Sequence, residues 1–273
     1  MTDEPQVQTR QPAPAASPPP IVKMTHVHLA FDKKVILKQL DLNVAPRERL
    51  VIMGQSGSGK STTLRLILGI LHPSSGSVKF KGEEVTKMSR PRLNRMRQRI
   101  GMVYQYSALV SSLTVRDNLA LPLEELTDKS KEEIDTIVHE KLAMVGMEDT
   151  RDYMPDELSG GMKKRIGLAR ALVLDPELIL FDEPTAGLDP VVSSVIDELI
   201  IALTEKTNAT SIIVTHEMDS AFRVATRMAM LYKGNIIEED RPERFRDSSD
   251  PVVAQFVEGR TEGPINTDAA PLE

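Results

Sequence analysis

The chain has 273 residues, of which 40% are hydrophobic and 27% are charged, a mixture typical of a globular protein with one large domain or one domain with an inserted arm. Its formal net charge of -6 argues against nucleic-acid binding driven by counterion release, so we expect no nucleic-acid partner. The chain contains no cysteine, which excludes disulfides and cysteine-ligated metals.

The sequence predicts neither a membrane-spanning segment nor a secretory signal. No apolar run approaches the roughly 18 to 20 residues that cross a bilayer. The first ten residues lack the basic start and apolar core of a secretory signal. Gln11–Pro20 is too rich in proline for a helix or a sheet, so residues 1–20 are predicted to be a flexible leader. A role at a membrane would therefore need a separate membrane-spanning partner.

Residues 21–88 carry the patterns of strands and one helix. Apolar and polar residues alternate over residues 27–44, with Asp-Lys at a turn, which predicts two strands. The apolar run in residues 47–54, RERLVIMG, predicts a buried strand that ends in glycine. Residues 62–71 have the apolar spacing of a helix, and residues 74–85 predict a hairpin.

Residues 89–161 are predicted to be a mostly helical insertion. They begin with a basic run, continue with an amphipathic helix near SKEEIDTIVHEKLAMVG, and end in a loop. Strand–helix alternation returns over residues 162–240, where apolar runs such as LILF and SIIV separate helical segments. Such alternation predicts a parallel sheet covered by helices. Residues 241–273 form a polar tail.

The loop GQSGSGKS fits the pattern G-x-x-x-x-G-K-[ST] and lies between a predicted strand and a predicted helix. A loop that wraps two phosphates needs small residues with free φ, and glycine supplies both. Backbone N–H groups and the N-terminus of the next helix then face the anion. Lys60 adds a point charge, and the Ser61 hydroxyl suits Mg²⁺. The predicted ATP contacts here are Gly54, Gln55, Ser56, Gly57, Ser58, Gly59, Lys60, Ser61 and Thr62.

Two acids follow the apolar run LILF, Asp182 and Glu183. Ligands gather at the carboxyl ends of parallel strands, so these acids are placed to meet the phosphate loop. Asp182 would hold Mg²⁺, directly or through water. Glu183 would act as the general base toward the attacking water. Without the phosphate loop, the pair could equally be ordinary acids at a strand end.

Together these motifs resemble the ATP-binding subunit of ABC transporters, over Ile21 to about Arg260 and in that family's order. The further motifs are GMVYQ, the signature LSGGM, the D-loop AGLD and the switch segment SIIVTHEMD. The resemblance implies an α/β fold: a P-loop NTPase (RecA-like) core with a mixed or parallel sheet, an N-terminal antiparallel β subdomain and an inserted α-helical subdomain. It adds ATP contacts at Phe31, Gln105, Ser159, Gly160, Gly161 and Asp189, and places Gln105 with Ser61 and Asp182 at Mg²⁺.

The same resemblance gives roles to two residues whose types alone decide little. A histidine after a strand is usually a packing residue, but His216 stands at the family's switch position and is expected to orient Glu183 and the water. In the family, two subunits pair head to tail and each signature covers ATP on the other. Met162 replaces a polar residue of the signature, but it falls in the first helical turn and removes no phosphate donor. The signature is therefore expected to be intact.

The variant LSGGM, with QYSALVSSLTVRDNLALPL and DPVVAQFVEGRTEGPI, resembles Mla-type and Mce-associated lipid transporters. This resemblance implies four partners: a second copy of the chain, an integral-membrane permease, an MCE-domain lipid-binding protein and, often in this family, a small STAS-domain protein. It places the chain on the cytoplasmic side of the inner membrane, held there by the permease. Phospholipid or another hydrophobic molecule is the expected cargo.

Three other functions compete with this hypothesis. An ABC importer for a polar solute would carry the same motifs. A soluble ABC protein acting on DNA or ribosomes would have long coiled-coil insertions or two cassettes, and the sequence has neither. A subunit that only binds ATP is disfavoured because Lys60, Glu183 and His216 are all present. In the tail, Phe256 and Val257 are expected to dock on their own subunit or, as the Mla-type resemblance favours, across the dimer.

Overall fold

The computed structural model describes residues 18–265. Most of the predicted leader, residues 1–17, and the end of the predicted tail, residues 266–273, lie outside the described residues. Two β-sheets, the helices that cover them, a helical arm and a pair of C-terminal helices make up the described chain. Within this part of the chain, none of the helices combines the length and the apolar character that crossing a bilayer requires.

The first sheet is antiparallel and has the strand order β2-β1-β4-β5. Phe31 pairs with Lys34 across the turn that the sequence predicts between the first two strands. The strands expected within residues 27–44 and the hairpin within residues 74–85 are confirmed. The four strands are β1 (Val22–Phe31), β2 (Lys34–Val44), β4 (Ser75–Phe80) and β5 (Glu83–Glu84).

The second sheet is mixed and has the order β10-β9-β3-β8-β7-β6. All neighbours in it are parallel except β10, which pairs antiparallel with β9. This confirms the mixed or parallel sheet and the N-terminal antiparallel subdomain. The strands are β3 (Arg49–Met53), β6 (Ile100–Val103), β7 (Leu178–Asp182), β8 (Thr210–Thr215), β9 (Arg227–Tyr232) and β10 (Asn235–Asp240).

Two apolar cores lie on opposite faces of the mixed sheet. Successive residues of a strand point to opposite faces, so Leu50 and Ile52 enter the core beneath the antiparallel sheet, whereas Val51 and Met53 enter the core beneath the arm. The helices are α1 (Lys60–Ile67), α2 (Arg90–Arg97), α3 (Val115–Leu126), α4 (Lys131–Met144), α5 (Gly160–Ala171), α6 (Pro190–Thr207), α7 (Met218–Val224), α8 (Pro242–Arg246) and α9 (Pro251–Glu258).

The structure differs from the predicted helical insertion, residues 89–161, at one element. Residues 100–103 form β6, which pairs in parallel with β7 and therefore belongs to the mixed sheet. The arm proper consists of α3 and α4, packed against α5. The sequence does not predict β6 because this strand has only four residues and follows a basic helix. Its Gly101 is required by packing, since a Cβ there would lie 2.4 Å from the carbonyl oxygen of Ala171.

The described part of the tail packs on its own subunit, as the local alternative expects, while docking across a dimer stays a prediction. Val253 of α9 is fully buried, and Phe256 and Val257 pack against the core beneath the arm. Gln255 is buried and fastens the chain that follows: its Nε2 donates to the carbonyl oxygens of Arg260 and Ile265, and its Oε1 accepts from the Ile265 N–H.

We predict that Gln255→Ala lowers the free energy of unfolding by about 1 to 3 kcal/mol, because it leaves the buried peptide groups of Ile265 without their partner. Urea denaturation of the full chain measures this loss. The matched control is Glu258→Ala, an exposed change on the same helix, which we expect to stay within about 0.5 kcal/mol. Equal losses in the two variants would show that the Gln255 amide does not hold the tail.

Candidate functional site

The carboxyl ends of three neighbouring strands meet at one edge of the mixed sheet. Met53 at the end of β3 pairs with Thr215 at the end of β8, and Asp182 at the end of β7 pairs with Val214. The next residues along the chain are Gly54, Glu183 and His216. Parallel register alone therefore brings the phosphate loop, the acid pair and the switch histidine to one place.

The loop Gly54–Ser61 needs glycine where its backbone is closest to its surroundings. Gly54 has φ 152, and a Cβ there would lie 2.3 Å from the carbonyl oxygen of Leu231. Gly57 has φ 78 and Gly59, the N-cap of α1, has φ 110, both in the region that side chains avoid. The loop thus ends at the N-terminus of α1, where unpaired N–H groups favour an anion.

Lys60, Glu183 and His216 form a connected polar group at this edge. Lys60 Nζ donates to the carbonyl oxygens of Gly54 at 2.7 Å and Gln55 at 3.2 Å. It also lies 3.6 Å from Glu183 Oε1, while Glu183 Oε2 lies 2.9 Å from His216 Nδ1. Lys60 is 7% exposed and Glu183 8%. Burial lowers the pKa of Lys60, and the nearby Glu183 and Asp182 carboxylates oppose that shift.

The backbone of Glu183 is held in an uncommon conformation. Its φ is +50, in the left-handed region, and its N–H donates to the carbonyl oxygen of Val214 at 2.9 Å. Such strain costs about 1 to 3 kcal/mol and persists where the surroundings impose it, often at functional sites. The side chain of Glu183 is thereby turned off the strand and toward Lys60 and His216.

The residues expected at Mg²⁺ fit that ion. The Ser61 hydroxyl donates to Asp182 Oδ1 at 2.7 Å, which puts two hard oxygen donors side by side. Gln105 follows β6 and lines the same cavity as Ser61. Ser58 Oγ is buried and, among residues 18–265, has no hydrogen-bond partner, but Ser58 does not line the cavity that holds Ser61 and Gln105.

A cavity of about 720 Å³ lies over the phosphate loop. It brings together most of the predicted site: Gln55, Ser56, Gly57, the run from Gly59 to Thr62, Gln105, Glu183 and His216. Lys34, Ile36 and Phe256 also line it and were missed. The first two follow the predicted Phe31 in the adjacent hairpin, which could have suggested them. No sequence signal places Phe256 there, because α9 reaches the cavity only through the folded tail.

Other predicted contacts lie outside this cavity. Phe31 is 49% exposed beside the cavity wall formed by β2. Ser159 is the N-cap of α5, accepts from the Met162 N–H, and is exposed, as is Gly160. Asp189 caps α6 in the same way and is also exposed. Neither the signature nor the D-loop residue Asp189 therefore lines the cavity of its own chain.

Met162 occupies the position where the signature departs from its usual form. Its backbone N–H makes the capping hydrogen bond to Ser159 Oγ at 3.3 Å. Its side chain is half-buried and packs against the core beneath the arm. Gly161 lies against α6, where a Cβ would come within 2.8 Å of Val192. The helix N-terminus that the signature provides is therefore present, with methionine serving a packing role.

Comparison with known proteins extends these observations. A family profile described as ABC transporter matches residues 37–186. The chain is 41% identical over 236 residues to a Mycobacterium tuberculosis protein named probable ribonucleotide transport ATP-binding protein mkl; this covers 86% of the chain but 66% of that relative, just under two thirds. It is 40% identical over 245 residues to the Haemophilus influenzae intermembrane phospholipid transport system ATP-binding protein MlaF, covering 90% of the chain and 93% of that relative.

A solved structure agrees with the sequence relatives. The dimeric, post-hydrolysis structure of the ATP-binding cassette MJ0796 with ADP and Pi superposes with a TM-score of 0.74 at 33% identity, covering 81% of this chain and 98% of that one. The family profile covers β3 to β7, the phosphate loop and the acid pair, and the Haemophilus relative covers 90% of the chain. On these grounds the chain belongs to the ABC transporter family, as an ATP-binding cassette.

Proposed function

We propose that this chain is the ATP-hydrolysing subunit of a transporter that moves phospholipid, or another hydrophobic molecule, between membranes through a separate permease. The observation that carries the hydrolytic role is the placement of Glu183 between Lys60 and His216 at the mouth of a phosphate loop. Support for the cargo comes from the Haemophilus relative, named for intermembrane phospholipid transport and covered over 93% of its length.

ATP binding would redistribute the contacts of Lys60. Its ammonium now serves two loop carbonyls and the Glu183 carboxylate. A β,γ-phosphate is a stronger partner than a neutral carbonyl, because both partners are then charged. Lys60 would turn to the phosphates, joined by the loop N–H groups, and free one oxygen of Glu183. Phe31 and Ile36 offer apolar surface for the base at the outer end of the cavity.

Glu183 would then act as general base. Its free carboxylate oxygen accepts a proton from water as that water attacks the γ-phosphorus and the bond to the β-phosphate oxygen breaks. His216, bonded to the other oxygen at 2.9 Å, fixes the direction in which the carboxylate points. Ser61, Asp182 and Gln105 would hold Mg²⁺, which supplies positive charge to the phosphate oxygens.

A second copy of the chain would complete the site. Ser159, Gly160 and Gly161 present a helix N-terminus, with two of the three residues exposed, yet they do not line the cavity of their own chain. A head-to-tail pair would bring each signature, together with Asp189, onto ATP bound by the other subunit. The solved structure of the MJ0796 cassette is dimeric, which supports this arrangement.

The permease would dock beside the Q-loop. A groove of about 360 Å³ next to Gln105 is lined by Tyr104, Val110 and Leu121, whose side chains are exposed, and Tyr106 is 87% exposed nearby. Exposed apolar and aromatic groups of this kind are typical of interaction sites. Such docking would keep the chain on the cytoplasmic side of the inner membrane. An MCE-domain protein and a small STAS-domain protein are further proposed partners, suggested by the Mla-type signature and tail; nucleic acid is not.

A polar solute remains the second candidate cargo, because the Mycobacterium relative is named for ribonucleotide transport. That relative is covered over only 66% of its length, so its name weighs less than that of the Haemophilus relative. Purification of the native complex in mild detergent, followed by mass spectrometry of bound small molecules, separates the two. Enriched phospholipid supports the proposal, and a bound nucleotide-like solute without enriched lipid would contradict it.

We predict that Glu183→Gln lowers the ATP hydrolysis rate about 100-fold or more, while ATP affinity stays within about threefold, because the amide cannot take up the proton. Nucleotide binding by fluorescence and phosphate release measure the two effects. The matched control is Glu198→Gln, an exposed glutamate on α6, expected to leave both unchanged. Undiminished hydrolysis by Glu183→Gln would falsify the general-base assignment.

We predict that Met162→Gln and Ser159→Arg behave differently in steady-state ATP hydrolysis by the assembled transporter. Met162→Gln keeps the backbone N–H that bonds Ser159 Oγ, so its rate stays within about threefold of the native chain. Ser159→Arg deletes that cap and puts a bulky side chain where the partner's phosphate must approach, so its rate falls about 100-fold. Comparable losses in both variants would give the Met162 side chain a direct role in the reaction.

A further inference from the structure

Lys164 is a buried lysine that the mechanism above does not use. It lies on α5, in the second turn after the signature cap Ser159, and is 7% exposed. Its Nζ donates to the backbone carbonyl oxygen of Gln105 at 2.6 Å and to that of Glu183 at 3.3 Å. One ammonium group therefore joins the signature helix, the Q-loop and the residue proposed as general base.

Burying the Lys164 ammonium group costs the folded state free energy of desolvation. Within residues 18–265, no carboxylate lies within ion-pair distance of Lys164, so its direct polar contacts are the two carbonyl oxygens. Burial lowers the pKa of Lys164, with the carboxylates of Glu217 and Glu183 acting in the opposite direction. A buried apolar side chain would avoid the desolvation cost. What Lys164 provides is a pair of hydrogen bonds that hold the carbonyl groups of Gln105 and Glu183 in place.

The Q-loop is fastened to α5 at further points. Arg170 donates to the carbonyl oxygens of Ser107 at 2.7 Å and Ala108 at 2.6 Å. Both of these residues have left-handed backbones, with φ of 58 and 49, so an imposed conformation is being held there. At Gly167 a Cβ would touch Ser107 Cβ at 3.4 Å, so the helix lies directly on this segment. Of the cations involved, only Lys164 also reaches Glu183.

We propose that Lys164 is a positioning residue that fixes the backbones of Gln105 and Glu183 relative to the signature helix, so that the placement of α5 sets the aim of the general base. The proposal rests on the proposed role of Glu183. A displacement of the Q-loop by a docked partner would move α5 and, through Lys164, the peptide group that carries Glu183. Lys164 does not line the nucleotide cavity, so this control would act on hydrolysis rather than on ATP binding.

The test compares Lys164→Met with Lys164→Gln in the full chain. Methionine matches the shape of the lysine stem and has no donor, whereas the glutamine amide keeps two N–H donors on one nitrogen. We expect Lys164→Met to lower kcat about tenfold or more with the ATP Kd within about threefold, since small misplacements of reacting groups are costly. Lys164→Gln should recover most of kcat. Backbone amide exchange over residues 104–109 should quicken in Lys164→Met and not in Lys164→Gln.

The matched control is Lys141→Met. Lys141 is also 7% exposed, but it bonds Asp175 at 2.5 Å between α4 and the loop before β7, away from the cavity. The Lys141→Met variant should be less stable than the native chain but keep its kcat and its amide exchange rates over residues 104–109. Should Lys164→Met not fold, Lys164→Ala is a second donor-free variant, which lets water reach the two carbonyls.

The outcomes separate this proposal from the proposed function. If the native chain does not hydrolyse ATP, the proposed function fails, and amide exchange still tests the tether. A donor-free variant with kcat within about twofold of the native chain and unchanged exchange over residues 104–109 would overturn the positioning role. Equal effects of Lys164→Met and Lys141→Met on kcat, or no recovery in Lys164→Gln, would overturn it as well.

Discussion

Parallel, in-register pairing of β3, β8 and β7 is the constraint on which the rest of the molecule depends. Because the register aligns Met53 with Thr215 and Val214 with Asp182, the three residues that follow these strands emerge side by side. A one-residue slip would turn each side chain to the opposite face of the sheet. Cores on both faces prevent such a slip, since β3 alone supplies alternate residues to each.

From this edge the chemistry follows with few further elements. Gly54, Gly57 and Gly59 let the chain bend into a tight loop, and α1 begins directly after it at Lys60. The strained backbone of Glu183 turns its carboxylate from the strand toward Lys60 and His216. Lys60 therefore contacts one oxygen of the Glu183 carboxylate and His216 contacts the other. ATP would compete for the lysine and leave the carboxylate directed by the histidine alone.

Sequence reasoning predicts best where a local pattern carries its own chemistry. The phosphate loop is predictable because glycines at this spacing, followed by a lysine and a hydroxyl residue, indicate phosphate binding when they lie between a strand and a helix. The short strand β6 was hidden by the basic helix before it, and only its pairing with β7 reveals it. Phe256 and Lys164 reach the site region from distant parts of the chain, and no local pattern records such contacts. In the tail, Phe256 and Val257 pack against the core of their own chain, and docking across a dimer stays a prediction.

In the proposed head-to-tail pair, each chain holds half of two nucleotide sites, and a second copy of the chain completes both. The chain has no native cysteine, so single cysteines report contacts without background. Ser56→Cys, at the exposed phosphate loop, is mixed with Ser159→Cys, both carrying Glu183→Gln to retain ATP, and treated with a short thiol cross-linker. We predict a covalent dimer of the two different variants with MgATP and little covalent dimer without it. Cross-links that form independently of ATP, or as readily between two copies of Ser159→Cys, would contradict this head-to-tail pairing.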